Sequence, residues 1–324
     1  MAVQALLALL ALSEHFQAFF TRLNPSPSFE RRAASEHQSI VRLIEASPVV
    51  MGTLAPRCFL QGSYRQQTAI YTINDVDIVA LCQIRPSLGL WLWEAQRWRR
   101  DEIFDTLAAP LQADPRYKGK IRYGSGSMCI KVDVGIRVEL LPVVYHSPLA
   151  GFEADYEREP FLLFRPERNR WEAGYARSHR RRLSDKNHLS RTAGNFIPSV
   201  KVFKHLRTLH DIDAVSFHLE CLLYGLSDRL FRGSPATYIP ALLRTLASSS
   251  AEDWYARTLS TPCGERRLFS RDEWDWPHWQ TFHNHIVYFN RLAQAAQCAP
   301  SRLLAIQAWQ LLLGEGYFPK NASA

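Results

Sequence analysis

The rhythm of apolar and polar positions changes about halfway along the chain. Residues 2–22 form an Ala- and Leu-rich stretch that predicts a helix, broken by Asn24-Pro25-Ser26-Pro27-Ser28. A second helix is predicted over 30–46, where Ile40, Leu43 and Ile44 recur at helical spacing with charges between them, and Pro48 and Gly52 close it. Short apolar runs follow. Arg57 to Gln61 predicts a strand ending in a Gly62-Ser63 turn, and Asp75 to Cys82 predicts the next. Residues 87–111 predict a helix whose Trp91, Trp93 and Trp98 serve core packing. Residues 120–123 predict a strand, and 128–134 with 136–144 predict a hairpin around Gly135. After Pro148 long helical patterns dominate, over 196–210, 216–230, 238–249, 279–297 and 301–313, and few strands are expected. In the fourth helix Phe282, Ile286, Phe289 and Ala293 mark the buried stripe. In the last, Ser301 caps the start and Gly314 ends the run. The pattern predicts an α/β + α fold: a mixed sheet with flanking helices in residues 1–155, which include the N-terminal helices, then a helical lobe in 156–324.

Composition adds two constraints. The 324 residues are 47% hydrophobic and 22% charged, which suits a globular protein with a sizeable core. The net charge of +8 suits a negatively charged partner such as a nucleoside triphosphate, a nucleic acid or an anionic surface. Six scattered cysteines form no C-x-x-C pair, which predicts thiols in a reducing compartment, the cytoplasm, and excludes a zinc ribbon. His283 and His285, two apart on a helix, do not face one another and predict no metal site. The N-terminal apolar run lacks a basic n-region and is too short to span a bilayer, so no membrane association is expected.

The candidate chemistry lies in two places. Gly62-Ser63-Tyr64 precedes Asp75-Val76-Asp77-Ile78 by ten residues. Small residues let backbone N–H groups approach a triphosphate, and two carboxylates two apart on a strand share one face and can hold divalent metal. Metal held there serves displacement at phosphorus. A third acidic ligand is expected on a neighbouring strand. Asp133 and Glu139, one on each arm of the predicted hairpin, both alternate outward from a core face, and periodicity leaves both open. The third carboxylate can also accept the proton of an attacking hydroxyl. In the helical half, Lys201 and Lys204 share a helix face beside His205, while Val200 and Phe203 pack inward. Two ammonium groups there could grip the phosphates that leave as pyrophosphate. The basic stretch of Arg165, Arg168, Arg170, Arg177, Arg180, Arg181 and Arg182 reads as a solvated helix face paired with Glu167, Glu172 and Asp185, with nucleic-acid contact the rival use.

These motifs resemble a known family. Phe59-Leu60-Gln61-Gly62-Ser63-Tyr64 with Thr68, Asp75-Val76-Asp77, and Arg137-Val138-Glu139-Leu140-Leu141-Pro142 resemble the bacterial cGAS/DncV-like nucleotidyltransferases of the polymerase-β-like superfamily. Pro198 to Lys204 resembles the family's central helix, and Ser216-Phe217-His218-Leu219-Glu220 the segment after it. The resemblance implies a polymerase-β-like core, a helical bundle lobe and an active site in the cleft between lobes. It implies joining of nucleoside triphosphates into a cyclic di- or trinucleotide signal in antiphage defence, with two Mg²⁺ or Mn²⁺ ions. A regulatory protein or nucleic acid is a further candidate partner. By the same resemblance Gly62 and Ser63 would hold the donor triphosphate, and Asp75 and Asp77 the metals. The family's third acid stands three residues before a proline, with two apolar residues between them, and this selects Glu139 over Asp133. Lys204 would match the triphosphate lysine, with Lys201 beside it. The sequence departs from the family in having Glu139 where Asp is usual and Gln67 where Gly precedes the Thr. Rival readings are a nucleotidyltransferase of the same fold that makes linear oligonucleotides or modifies a protein, RNA or antibiotic, and a non-catalytic nucleotide or nucleic-acid sensor.

Overall fold

The structure is a computed structural model and describes residues 12–83, 100–145, 161–174 and 176–321. The first half of the predicted 2–22 helix, the start of the 87–111 helix with its three tryptophans, and the expected boundary at 155 lie outside the described residues. The chain forms two compact units. One contains Ser26–Gln67 and Thr72–Arg180; the other contains Met1–Pro25, Thr68–Tyr71 and Arg181–Ala324.

The first unit is built on a seven-stranded sheet: β1 (Arg57–Gln61), β2 (Asp75–Cys82), β3 (Ile121–Arg122), β4 (Ile130–Asp133), β5 (Arg137–Tyr145), β6 (Phe161–Arg165) and β7 (Arg170–Gly174). Its order is β1-β2-β5-β4-β3, with β6 pairing the far end of β5 and β7 pairing β6. Only β2 and β5 run parallel. Alternation along each strand separates two faces. Val76, Ile78, Ala80 and Cys82 of β2, with Val138 and Leu140 of β5, pack against Ile40 and Ile44 of the Pro27–Ala46 helix and Phe104 and Leu107 of the Arg100–Ala113 helix. The opposite face carries a small apolar cluster of Val79, Leu81, Val143 and Phe161. On that face β2 begins with Asp75 and Asp77 and β5 with Arg137 and Glu139.

Several local expectations are corrected. Pro48 does not close a helix but opens a short one, Pro48–Thr53, because Ser47 caps it and a proline in the first turn gives up only an N–H that has no intrahelical partner. The Gly62-Ser63 pair is the first turn of a short helix, Gly62–Gln66. Of the basic stretch expected to form a helix face, Arg180, Arg181 and Arg182 do lie on a helix, Ala176–Lys186, but Arg165, Arg168 and Arg170 lie in a hairpin over 161–174. Asn169 at φ +48° reverses the chain, and Arg165, Arg168 and Arg170 converge on Glu172. The 216–230 helix stops at Tyr224, since the buried ammonium of Lys186 donates to the carbonyls of Tyr224 (2.8 Å) and Leu226 (2.7 Å) and so caps its end.

In the second unit, helices Ser13–Leu23, Phe196–Leu209, Ser216–Tyr224, Pro235–Ala247, Trp276–Gln297 and Arg302–Leu313 enclose one core that includes Phe16, Phe19, Phe203, Leu219, Trp279 and Trp309. Ser301 caps the last helix and Gly314 ends it at φ +83°, as the sequence predicts. Among the described residues no helix is long and apolar enough to cross a membrane.

Candidate active site

Strand register assembles the acidic residues. Parallel pairing of β2 with β5 sets Asp77 opposite Glu139 and Asp75 opposite Arg137. Antiparallel pairing of β4 with β5 sets Lys131 opposite Glu139 and Asp133 opposite Arg137. These six side chains therefore start from one face of the sheet. The two acids that periodicity left open are placed differently. Glu139 stands beside Asp77, with Lys131 Nζ at 3.7 Å. Asp133 is one strand further away, paired with Arg122 and 3.9 Å from Arg137.

The close approach of β1 completes the arrangement. Gln61, its last residue, pairs with Asp77. Gly62 follows at φ +70°, a conformation that disfavours any side chain. A Cβ at Gly62 would stand 1.7 Å from Asp77 Oδ2, so only glycine leaves room for that carboxylate. Ser63 is half-buried in the next position. Gln67 ends the short helix at φ +61° and takes the left-handed role for which glycine is the easier residue.

The electrostatics of this corner centre on Asp77, the acid set between Asp75 and Glu139. Burial, then the charges of Asp75 and Glu139, push the Asp77 carboxyl up to about 7. Burial and Glu139 likewise push the nearby Cys129 thiol up to about 12. Gln61 Oε1 is buried with no hydrogen-bond partner among the described residues. Hard oxygen donors, mutual repulsion and an orphaned amide oxygen together fit a hard divalent cation such as Mg²⁺. The residues that would hold it are Asp75, Asp77 and Glu139. Their side chains share a face without converging on one point; no group of three His, Cys, Asp or Glu residues among those described already forms a closed ligand set.

The two lysines occupy different surroundings on the Phe196–Leu209 helix of the other unit. Lys201 is half-exposed and donates to Asn24 Oδ1 at 2.7 Å. Lys204 is buried, and its ammonium donates to Glu220 Oε1 at 2.8 Å and to Thr68 Oγ1 at 2.9 Å. Val200 and Phe203 enter the core as expected. His283 Nε2 lies against the carbonyls of Leu246 and Ser249, outside its own helix, and His285 Nδ1 against that of Thr281, one turn back in the same helix. Sequence reasoning gave no role to Gln61 or Glu220. Gln61 was legible only as the strand residue before the Gly-Ser pair, and Glu220 as one acid in an apolar helix, where a buried charge requires a partner.

Comparison with known proteins bears on the family and the fold. Residues 10–187 match the Second Messenger Oligonucleotide or Dinucleotide Synthetase domain, and residues 181–290 match the cGAS/DncV-like nucleotidyltransferase C-terminal helical domain. A cyclic UMP-AMP synthase of Rhodothermus marinus (strain SG0.5JP17-172) is 26% identical over 217 residues, covering 62% of this chain and 73% of that protein. Among solved structures, E. coli MS115-1 CdnC with ATP superposes with a TM-score of 0.67 at 15% identity, covering 94% of this chain and 98% of the other. The Rhodothermus marinus CdnE c-UMP-AMP synthase with Apcpp and Upnpp superposes with a TM-score of 0.61 at 21% identity, covering 83% and 93%. At those identities the structural likeness is one of fold.

Proposed function

The chain belongs to the cGAS/DncV-like nucleotidyltransferases, and on that premise we propose that it joins nucleoside triphosphates into a cyclic di- or trinucleotide with release of pyrophosphate. The observation that carries the reading is the register that sets Asp77 beside Glu139, with Gly62 cleared for the Asp77 carboxylate. A ribose hydroxyl of one nucleotide attacks the α-phosphate of a second, and a second attack closes the ring. Gly62 and Ser63 hold the donor triphosphate. Asp75, Asp77 and Glu139 hold Mg²⁺ or Mn²⁺, which when bound would neutralise phosphate charge and favour ionisation of the hydroxyl. Glu139 takes up the hydroxyl proton. Lys204, with Lys201 beside it, is the proposed contact for the leaving phosphates. The proposed setting is the cytoplasm, where the substrates are abundant and six thiols stay reduced. The proposed role of the product is a signal in antiphage defence.

The test is incubation of the purified protein with all four radiolabelled ribonucleotide triphosphates and Mg²⁺ or Mn²⁺, then phosphatase treatment and chromatography. Uridine and adenine nucleotides come first, being those of the Rhodothermus enzyme. A phosphatase-resistant product, absent with Asp75→Ala/Asp77→Ala, is expected. A product that phosphatase degrades would show a linear oligonucleotide synthase. The defence role predicts fewer phage plaques on cells expressing the wild-type protein together with its genomic neighbours, and no such reduction with the double variant.

A further inference from the structure

On the face of the sheet that carries the acids, one register row crosses five strands. Gln61 of β1 pairs with Asp77 of β2, Asp77 with Glu139 of β5, Glu139 with Lys131 of β4, and Lys131 with Arg122 of β3. All of these residues belong to the sheet unit. Neighbouring strands lie about 4.8 Å apart, so each side chain of the row is within reach of the next. The row turns from acidic to basic between Glu139 and Lys131. The adjoining row sets Asp75, Arg137 and Asp133 side by side. Its Asp133 engages both arginines: it pairs with Arg122 and lies 3.9 Å from Arg137. Lys131 is left facing Glu139, with Nζ 3.7 Å from Oε1. Cys129, two residues before Lys131, is buried beside the same carboxylate. Glu139 therefore has an acid, Asp77, on one side, and a cation and a thiol on the other.

We propose that Lys131 is a positioning residue of the metal-holding site: its ammonium draws the Glu139 carboxylate towards β4 and competes with a divalent cation for it. Asp75, Asp77 and Glu139 share a face, yet among the described residues they form no closed ligand set, as a carboxylate held from the β4 side requires. The pair is also weak enough to break. Its side chains are 44% and 25% exposed and 3.7 Å apart, so water screens the attraction. Glutamate reaches one methylene further than aspartate, which lets residue 139 turn to Lys131 or to the side of Asp77. Bringing a divalent cation to Glu139 means parting its carboxylate from the ammonium. The same ammonium repels the ion, twice as strongly as it would a monovalent one. Both effects have one sign, so Lys131 weakens metal binding. While no metal is bound, it balances one of three crowded carboxylates. A cross-strand pair with a structural role alone would strengthen the β4–β5 pairing and leave metal affinity untouched.

This inference rests on the nucleotidyl-transfer reading for the identity of the site, and its test separates the two. Mn²⁺ is titrated into the full chain without nucleotide, and the free ion is followed by electron paramagnetic resonance. Lys131→Met should bind Mn²⁺ about two- to fivefold more tightly than the wild type, the range set by a partly exposed ion pair. Lys131→Arg keeps the charge and should bind as the wild type does. Glu139→Asp shortens the reach to Lys131, so on that background Lys131→Met should change the affinity less. The rise in melting temperature on adding Mn²⁺ should be larger in Lys131→Met. The Mg²⁺ concentration for half-maximal pyrophosphate release should fall by the same factor of about two to five. A folded Lys131→Met with unchanged Mn²⁺ affinity would overturn the proposal. Weaker binding would overturn it too, showing that Lys131 holds Glu139 in the ligand position rather than away from it. If Lys131→Met loses affinity for a non-hydrolysable nucleoside triphosphate while its Mn²⁺ affinity is unchanged, the ammonium touches phosphate and the proposal fails. A wild type that binds Mn²⁺ but releases no pyrophosphate would count against the transfer reading alone, and the titration would still judge Lys131. Failure of the wild type and Lys131→Met alike to bind Mn²⁺ would end the proposal.

Discussion

Replacing Gly62 by alanine probes the site at one atom. The added Cβ would lie 1.7 Å from Asp77 Oδ2 and 2.7 Å from its Cγ, inside any allowed contact. Contacts settle near 3.5 Å, so the carboxylate must withdraw by more than about 1 Å. It has little room to do so, since Gln61, Asp75 and Glu139 surround it on β1, β2 and β5. The backbone adds its own cost. Gly62 sits at φ +70°, where an L-residue loses roughly 1–2 kcal/mol. For a unit of this size that corresponds to a fall in Tm of about 2–8 °C. The rate should suffer more than the stability, because an ångström of displacement at an aligned group costs on the order of 10²-fold. The assay is pyrophosphate release at saturating nucleotide and Mg²⁺, run well below the midpoint of a thermal melt recorded on the same sample. Gly62→Ala should stay folded and lose about 10²-fold in kcat, and it should need more Mg²⁺ for half-maximal rate. A folded Gly62→Ala that turns over within about threefold of the wild type, too small a loss for a displaced aligned group, would show that the Asp77 carboxylate does not act from this position.

Other outcomes are fixed by neighbouring details. Glu139→Gln should abolish pyrophosphate release, whereas Asp133→Asn, which removes a charge paired with Arg122 one strand away, should keep the rate within a few-fold; equal losses would return Asp133 to the ligand set. Burial holds His205 down to about 4, so the folded protein keeps it neutral while the unfolded chain protonates it near pH 6.5. Its contribution is intact above pH 6.5 and is lost as the pH falls towards 4, by roughly 3 kcal/mol in all. His205→Gln should flatten the acid limb of Tm against pH, and an unchanged limb would show that this group does not set it. Gln67→Gly relieves a left-handed residue at φ +61° and should leave Tm level or raise it by a few degrees, about 2–4 °C per kcal/mol relieved. Lys186→Met leaves the Tyr224 and Leu226 carbonyls without their ammonium while Asp228 keeps Arg191, at a cost of about 1–3 kcal/mol read from the urea midpoint.

The chain by itself determined those features that are written in local spacing. The alternation of Asp75-Val76-Asp77-Ile78 decides which side chains face the core, because a strand repeats every two residues whatever surrounds it. The 3.6-residue repeat of Phe282, Ile286, Phe289 and Ala293 does the same for the Trp276–Gln297 helix, and Ser301 and Gly314 mark a helix whose ends they satisfy chemically. Spacing could not choose between Asp133 and Glu139, which alternate identically; the choice of neighbour for Asp77 came from the parallel register of β2 with β5, a contact between residues 62 apart in the chain. The β6–β7 hairpin was hidden because its arginines suggested a helix face, while its pairing partner is β5 and its charge partner is Glu172. Lys201 and Lys204 look equivalent on a helical wheel. Tertiary packing buried one and left the other half-exposed, because a carboxylate from the Ser216–Tyr224 helix and a hydroxyl at residue 68 meet only in the folded chain. Local periodicity tells a side chain which way to point, and long-range pairing alone decides what it meets there.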